Sequence, residues 1–200
     1  EDGRQSKCSS EHLWSCYTSK GNLKTFTAQQ IFERGVYENL QKPSNGYRFK
    51  IPVAKAINYP TKETSLDPYL VGVLLGDGCT LQSKLTISSA DDFLIKEICA
   101  ITGFEARKEE SNYNWYFTHL SQNILTKKYL DQYKKELIDY SYNKRIPKEF
   151  LYNSKDVRVA LLQGLMDTDG SVDLKGRCSF TTTSENLKSD FLQLVYSLGY

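Results

Sequence analysis

A chain of 200 residues and 22.9 kDa, 40% apolar and 12% aromatic with a net charge of only +2, has enough material for a real core. That excludes disorder and a disulfide-stapled miniprotein. No apolar run approaches the roughly 18 residues that span a bilayer, so no membrane partner is expected, and Glu1-Asp2-Gly3 reads as a cut end rather than a start or a secretory leader. Five cysteines without a C-x-x-C pair, and only two histidines, point to reduced thiols in an intracellular protein, cytoplasmic or nuclear. Residues 1–60 hold 9 basic and 5 acidic side chains and residues 61–118 hold 5 and 9, but no segment is basic enough to mark nucleic acid by charge alone.

In chain order, short strand-like runs with scattered Tyr and Phe, and turns at Lys20-Gly21-Asn22 and Pro43-Ser44-Asn45-Gly46, predict a small, mostly β module over residues 1–60. Asn58-Tyr59-Pro60-Thr61-Lys62 reads as its linker. The chain then repeats itself. Tyr69-Leu70-Val71-Gly72-Val73-Leu74-Leu75-Gly76-Asp77-Gly78 is matched, 92 positions on, by Leu161-Leu162-Gln163-Gly164-Leu165-Met166-Asp167-Thr168-Asp169-Gly170. After each Asp-Gly comes a hairpin-like stretch, Thr80 to Ile87 or Val172 to Thr182. A capping cluster follows, Ser88-Ser89-Ala90-Asp91 or Thr182-Thr183-Ser184-Glu185, and then an amphipathic helix with Phe93, Leu94, Ile98 and Ile101, or Leu187, Phe191, Leu194 and Val195, on its apolar face. The first copy goes on through Glu105–Arg107 and Tyr113–Thr118, read as a second hairpin, and a helix over residues 121–140 that ends before Ile146-Pro147. The second copy stops where its second hairpin should begin, so the chain is expected to be a fragment lacking about half of its second lobe.

The repeated segment has a physical logic. A helix entered at Asp67-Pro68, with aspartate as cap and proline in the first turn, is apolar nearly all round and must be buried on most sides. Gly72 and Gly76 lie four apart on one face, as do Gly164 and Thr168, and small residues at that spacing let two helix backbones approach closely. A mid-helix glycine costs about 1 kcal/mol relative to alanine, so two such faces are expected to pack on each other. That packing would bring Asp77 and Asp169 together at two helix C-termini, where the dipole disfavours negative charge. Stability alone gives no reason for this arrangement, whereas divalent cations bridging carboxylates to phosphates do.

These two segments resemble the paired motifs of the LAGLIDADG homing endonucleases, in the variety carried inside inteins, and the similarity spans Ser65 to Tyr200. The resemblance implies an α+β fold of two αββαββα lobes with antiparallel saddle-shaped sheets and two-fold pseudo-symmetry. The first lobe would occupy residues 61–156 and the incomplete second one residues 157–200. It implies a metal site of Asp77, Asp169, Gly78 and Gly170, with two or three Mg²⁺ ions shared between the lobes. Leu75 departs from the pattern, standing where many members have another acid, while Asp167 keeps it. Lys144-Arg145-Ile146-Pro147 resembles the Lys-x-Ile-Pro segment that precedes the second motif, which implies that Lys144 is the catalytic lysine, polarising the attacking water or offsetting transition-state charge. Taken alone, the same residue reads equally as a solvated loop lysine.

In the front module, Ser9-Ser10-Glu11-His12 followed by Leu13-Trp14 is similar to the Thr-x-x-His block of intein splicing (Hint) domains. The likeness assigns His12 as proton donor to the scissile amide and Ser9 as the orienting hydroxyl. The splice-junction nucleophile and the terminal His-Asn are not in this chain, so the chain alone is not expected to splice. The implied activity is site-specific, Mg²⁺-dependent cleavage of double-stranded DNA by a monomer embedded in an intein, with flanking host-protein segments (exteins) as further partners. Saddle sheets would lie in the major groove, with Lys84, Arg107, Lys108, Lys175 and Arg177 as groove-facing candidates. Two alternatives stand beside this reading: a non-catalytic LAGLIDADG DNA-binding regulator, and a free-standing endonuclease or RNA-binding intron maturase. The retained Asp77 and Asp169 speak against the first, and the His12 block against the maturase.

Overall fold

The computed structural model describes residues 5–37, 46–79, 85–110, 113–119 and 140–200. Lys84, the helix expected over residues 121–140 and most of the Pro43–Gly46 turn lie outside these residues. The chain divides into two compact units, Glu1–Ala54 and Lys55–Tyr200.

The first unit is a three-stranded antiparallel sheet in the order β2-β1-β3, with β1 Leu13–Thr18, β2 Leu23–Thr27 and β3 Phe49–Lys50. Strand alternation turns Trp14 and Cys16 inward and leaves Leu13, Ser15 and Tyr17 exposed. Phe26, opposite Trp14, is buried against Phe49, their rings 5.2 Å apart. The β1–β2 turn relies on Gly21, whose φ of +79° is in the left-handed region. A helix not expected in this module, α1 Ala28–Arg34, starts at a full capping box: Gln30 N–H donates to Thr27 Oγ1 at 3.1 Å and Thr27 N–H to Gln30 Oε1 at 3.0 Å.

In the second unit, α2 Pro68–Gly76 begins at Asp67, whose Oδ1 accepts from Leu70 N–H at 3.0 Å. Leu70 to Leu75 are all buried, as expected for a helix with no polar face. The first repeat continues through β4 Gly78–Cys79, β5 Leu85–Ser88, α3 Asp92–Thr102, β6 Phe104–Lys108 and β7 Asn114–His119. These strands form an antiparallel sheet ordered β4-β5-β7-β6. α3 buries Leu94, Ile95 and Ile98; Phe93, expected on that face, is 65% exposed. Short helix α4 Lys148–Leu151 leads into the second repeat: α5 Lys155–Asp169, β8 Gly170–Val172, β9 Cys178–Phe180 and α6 Glu185–Ser197. The order helix, hairpin, helix thus occurs twice, and the architecture is mixed α+β with antiparallel sheets.

The segment read as a linker belongs to this second unit. Asn153, fully buried, accepts from Lys62 N–H at 3.0 Å and donates to its carbonyl at 3.1 Å. Ser65 bonds Glu149 through its N–H and its hydroxyl. Buried Arg158 donates to the carbonyls of Asn153, Ser197 and Ile57 and lies over the Tyr59 ring. The division between units therefore falls after Ala54 rather than after residue 60.

Candidate metal centre at the crossed helices

α2 and α5 meet through their glycines. A Cβ on Gly72 would come 2.8 Å from Leu165 N and 2.9 Å from Gly164 Cα, and one on Gly164 would come 2.9 Å from Val73 N. One turn further, a Cβ on Gly76 would strike Thr168, whose hydroxyl donates back to the carbonyls of Gly164 and Leu165 at 3.0 Å each. Only hydrogen fits at these glycines, and this close approach carries the two helices side by side to their C-terminal ends. There Gly78 and Gly170 turn each chain back over its own helix: a Cβ would lie 2.7 Å from Leu74 Cα in one copy and 2.6 Å from Met166 Cα in the other. The same turn leaves Asp77 and Asp169 at equivalent poles.

Both carboxyls are partly buried there and sit above the usual aspartate range. For Asp77 the causes are burial and then the Asp169 charge, with Lys144 offsetting part; for Asp169 they are burial, again offset by Lys144. Lys144 is only 8% exposed, which removes the solvated-loop alternative. Its ammonium donates to Gly76 O at 2.8 Å, Gly78 O at 3.0 Å and Leu74 O at 3.3 Å, using all three protons on the end of α2. Burial lowers its pKa and the two aspartates raise it. The Gly78 carbonyl, expected near the metal, already accepts from Lys144, and Gly170 is paired with Phe180 in the β8–β9 ladder.

Hard carboxylate oxygens, partly buried and near enough for Asp169 to raise the Asp77 pKa, are a donor set suited to Mg²⁺. Among the described residues no cluster of three or more His, Cys, Asp or Glu exists, so most of an ion's coordination shell would be left to water and phosphate oxygens. Space for such groups adjoins the site: a cavity of about 340 Å³ is lined by Ser141, Lys144, Asp169 and Thr181 to Thr183. Asp167, the earlier acid of the second motif, accepts from the Tyr69 hydroxyl at 2.9 Å. Burial, then this bond, hold that phenol well above its ordinary pKa.

Of the groove-facing candidates, Arg107 is exposed on the open face of the four-stranded sheet, in register with Tyr116 and Thr86. Lys108 is a correction. Adjacent strand residues point to opposite faces, and its ammonium lies 5.1 Å from the centroid of the Trp115 ring, on the helix side. Lys175 is exposed in the β8–β9 turn, and Arg177 is engaged with Asp173 at 2.7 Å. In the first unit Ser9 and His12 are both exposed and share a turn, His12 N–H donating to Ser9 O at 3.2 Å, with the imidazole edge-on to Trp14. Ser184, Asp190 and the threonines of the cavity were not singled out from the sequence as site residues. Thr182, Thr183 and Ser184 carried only a capping signal in the sequence, and no local pattern marks Thr181 or Asp190.

Residues 156–200 match the LAGLIDADG-like domain family. Among curated proteins, the chain is similar to a replicative DNA helicase DnaB of Mycobacterium intracellulare, at 30% identity over 199 residues. The match covers 98% of this chain and 30% of that protein, so the chain spans under a third of its curated relative's length. No helix among the described residues is long and apolar enough to cross a membrane.

Proposed function

We propose that this chain carries a site-specific double-strand DNA endonuclease of the LAGLIDADG type, set within a protein-splicing intein. The observation that carries the reading is the juxtaposition of Asp77 and Asp169 at the shared C-terminal pole of two glycine-crossed helices. Folding gains nothing from two partly buried like charges at helix C-termini, so the arrangement argues for a cation-dependent role. Asp77 and Asp169 would hold Mg²⁺, two or three ions shared between the repeats. Such ions lower the pKa of bound water and offset charge on a phosphate.

The chain's own residues do the rest. Lys144 fixes the end of α2 and brings a positive charge to the pole where negative charge grows as a phosphodiester is attacked. The hydroxyl-lined cavity beside Asp169 gives the reacting phosphate room. Arg107, Lys175 and Arg177 supply contacts to double-stranded DNA, and a single chain holding both motifs has no need of a second copy. His12 and Ser9 would serve splicing, with exteins as partners. Similarity across the whole chain to under a third of a DnaB helicase supports an inserted element in such a host.

The test uses the full-length protein and a duplex in which the host coding sequence is rejoined where the insert interrupts it. Asp77→Asn and Asp169→Asn should each abolish Mg²⁺-dependent cleavage while leaving DNA affinity largely intact. Cleavage that survives both single changes would sink the reading.

A further inference from the structure

Lys144 reaches the end of α2 from a loop, and something must hold that loop. Its carbonyl accepts from Ser184 Oγ at 2.6 Å, and two residues on, Ile146 N–H donates to Asp190 Oδ2 at 2.9 Å. Lys144 and Ile146 are buried and Arg145 between them is exposed, so the strip is extended and gripped at alternate residues. Both grips come from α6 and its cap, in the second repeat, while the ammonium they aim binds α2, in the first.

Ser184 is 1% exposed, and its hydroxyl is fully used. It accepts from Leu187 N–H at 3.1 Å as the N-cap of α6 and gives its one proton to Lys144 O. The cap explains the acceptor and not the donor. Asp190 lies inside α6, beyond the first turn, and its carboxylate does nothing for that helix's own end; it satisfies a backbone N–H from a distant segment.

We infer that Ser184 and Asp190 are positioning residues, which act through the main chain of Lys144–Ile146 to set the Lys144 ammonium at the pole shared by the two motif helices. The step from placement to rate rests on the endonuclease reading; the placement does not.

Two measurements on the full-length protein separate these. The first is lysine acetylation by N-hydroxysuccinimidyl acetate, read residue by residue by mass spectrometry. Lys144 should react slowly beside exposed Lys175. Asp190→Ala should speed Lys144 labelling about tenfold, the scale of losing one buried hydrogen bond, with the other lysines unchanged. Asp190→Asn, whose amide oxygen still accepts, should stay near wild type. Ser184→Asp keeps a cap for Leu187 N–H but has no proton for Lys144 O, and should also free Lys144, which covers the case in which Asp190→Ala fails to fold. The second measurement is single-turnover cleavage of the rejoined host duplex: Asp190→Ala should be about tenfold slower with DNA affinity within twofold of wild type, and Asp190→Asn should recover the rate. Unchanged Lys144 labelling in both Asp190→Ala and Ser184→Asp, or an equal rise at every lysine, overturns the inference. A wild type that shields Lys144 but cuts nothing overturns the endonuclease reading instead, and the labelling still decides the placement.

Discussion

At Lys144 a single ammonium serves two tasks that mutation can separate. It satisfies three carbonyls at the end of α2, and it faces two carboxylates. Lys144→Ala should therefore lower the melting temperature and, in single-turnover cleavage, the rate by at least about a hundredfold, as expected for losing one preorganised electrostatic partner. Affinity for DNA should barely change. If the lysine were a phosphate anchor, affinity would fall and the rate of bound DNA would hold. The aspartates make a prediction of opposite sign for stability. Their folded pKa values lie above the ordinary aspartate range, so the folded state binds more protons than the unfolded chain between that range and the raised values. Stability without metal should then be greatest below that window and fall as pH rises through it. Mg²⁺ should restore it above the window, where both acids are charged. Melting curves across pH, with and without Mg²⁺, check this; a midpoint that rises with pH in the absence of metal would contradict the sign.

For the elements, the decisive feature is the absence of a side chain. At Gly72 and Gly164 an added Cβ meets backbone atoms of the other helix, which cannot swing away as a side chain can. Gly72→Leu or Gly164→Leu should cost the upper part of the usual 1–3 kcal/mol of overpacking, about 3 kcal/mol, and Gly72→Ala should already be felt. Thermal melting decides it, and an unchanged midpoint would mean the helices can part without loss. This packing was legible in the sequence because small residues four apart repeat in both copies, as do the Asp-Gly ends. The hairpins and the caps at Asp67, Asp91 and Ser184 were legible for the same reason: their signals are local. α1 is the exception: Thr27-x-x-Gln30 carries a capping signal, but it is embedded in residues of β-rich texture. Lys108 was set beside Arg107 because strand phase is fixed by which neighbour is buried, and that depends on residues far along the chain. The holds on Lys144 and Ile146 are 40 and 44 residues away in sequence and leave no local trace.

On the scale of the whole second unit, residues 57 to 65 are strapped down by Arg158 of the second repeat and by Asn153 and Glu149 just before it. Arg158 is fully buried, with its charge resting on carbonyls, including that of Ser197 in the last turn of α6, and on the Tyr59 ring. Arg158→Met fills similar volume but removes every donor, and should destabilise the unit by roughly 2–4 kcal/mol because several buried carbonyls lose partners together. Amide hydrogen exchange should show the Ile57 N–H, bonded to Ser197 O at 2.8 Å, losing protection first. A loss confined to α2 would argue against the strap.

The two repeats are copies in outline, but the strap makes them handed partners. By the 92-residue offset, the position of Arg158 in the second copy is held in the first by Leu66, an apolar residue that is 2% exposed. A symmetric protein assembled from two second repeats would bury two guanidinium groups, and one built from two first repeats would leave the Ile57 carbonyl with no cation to receive. The helix crossing resists the first of these exchanges as well, since Gly76 faces Thr168 where only hydrogen fits and two second repeats would set threonine against threonine. Arg158 against Leu66, and Thr168 against Gly76, thus commit each half to its own side, so the two repeats are not interchangeable parts.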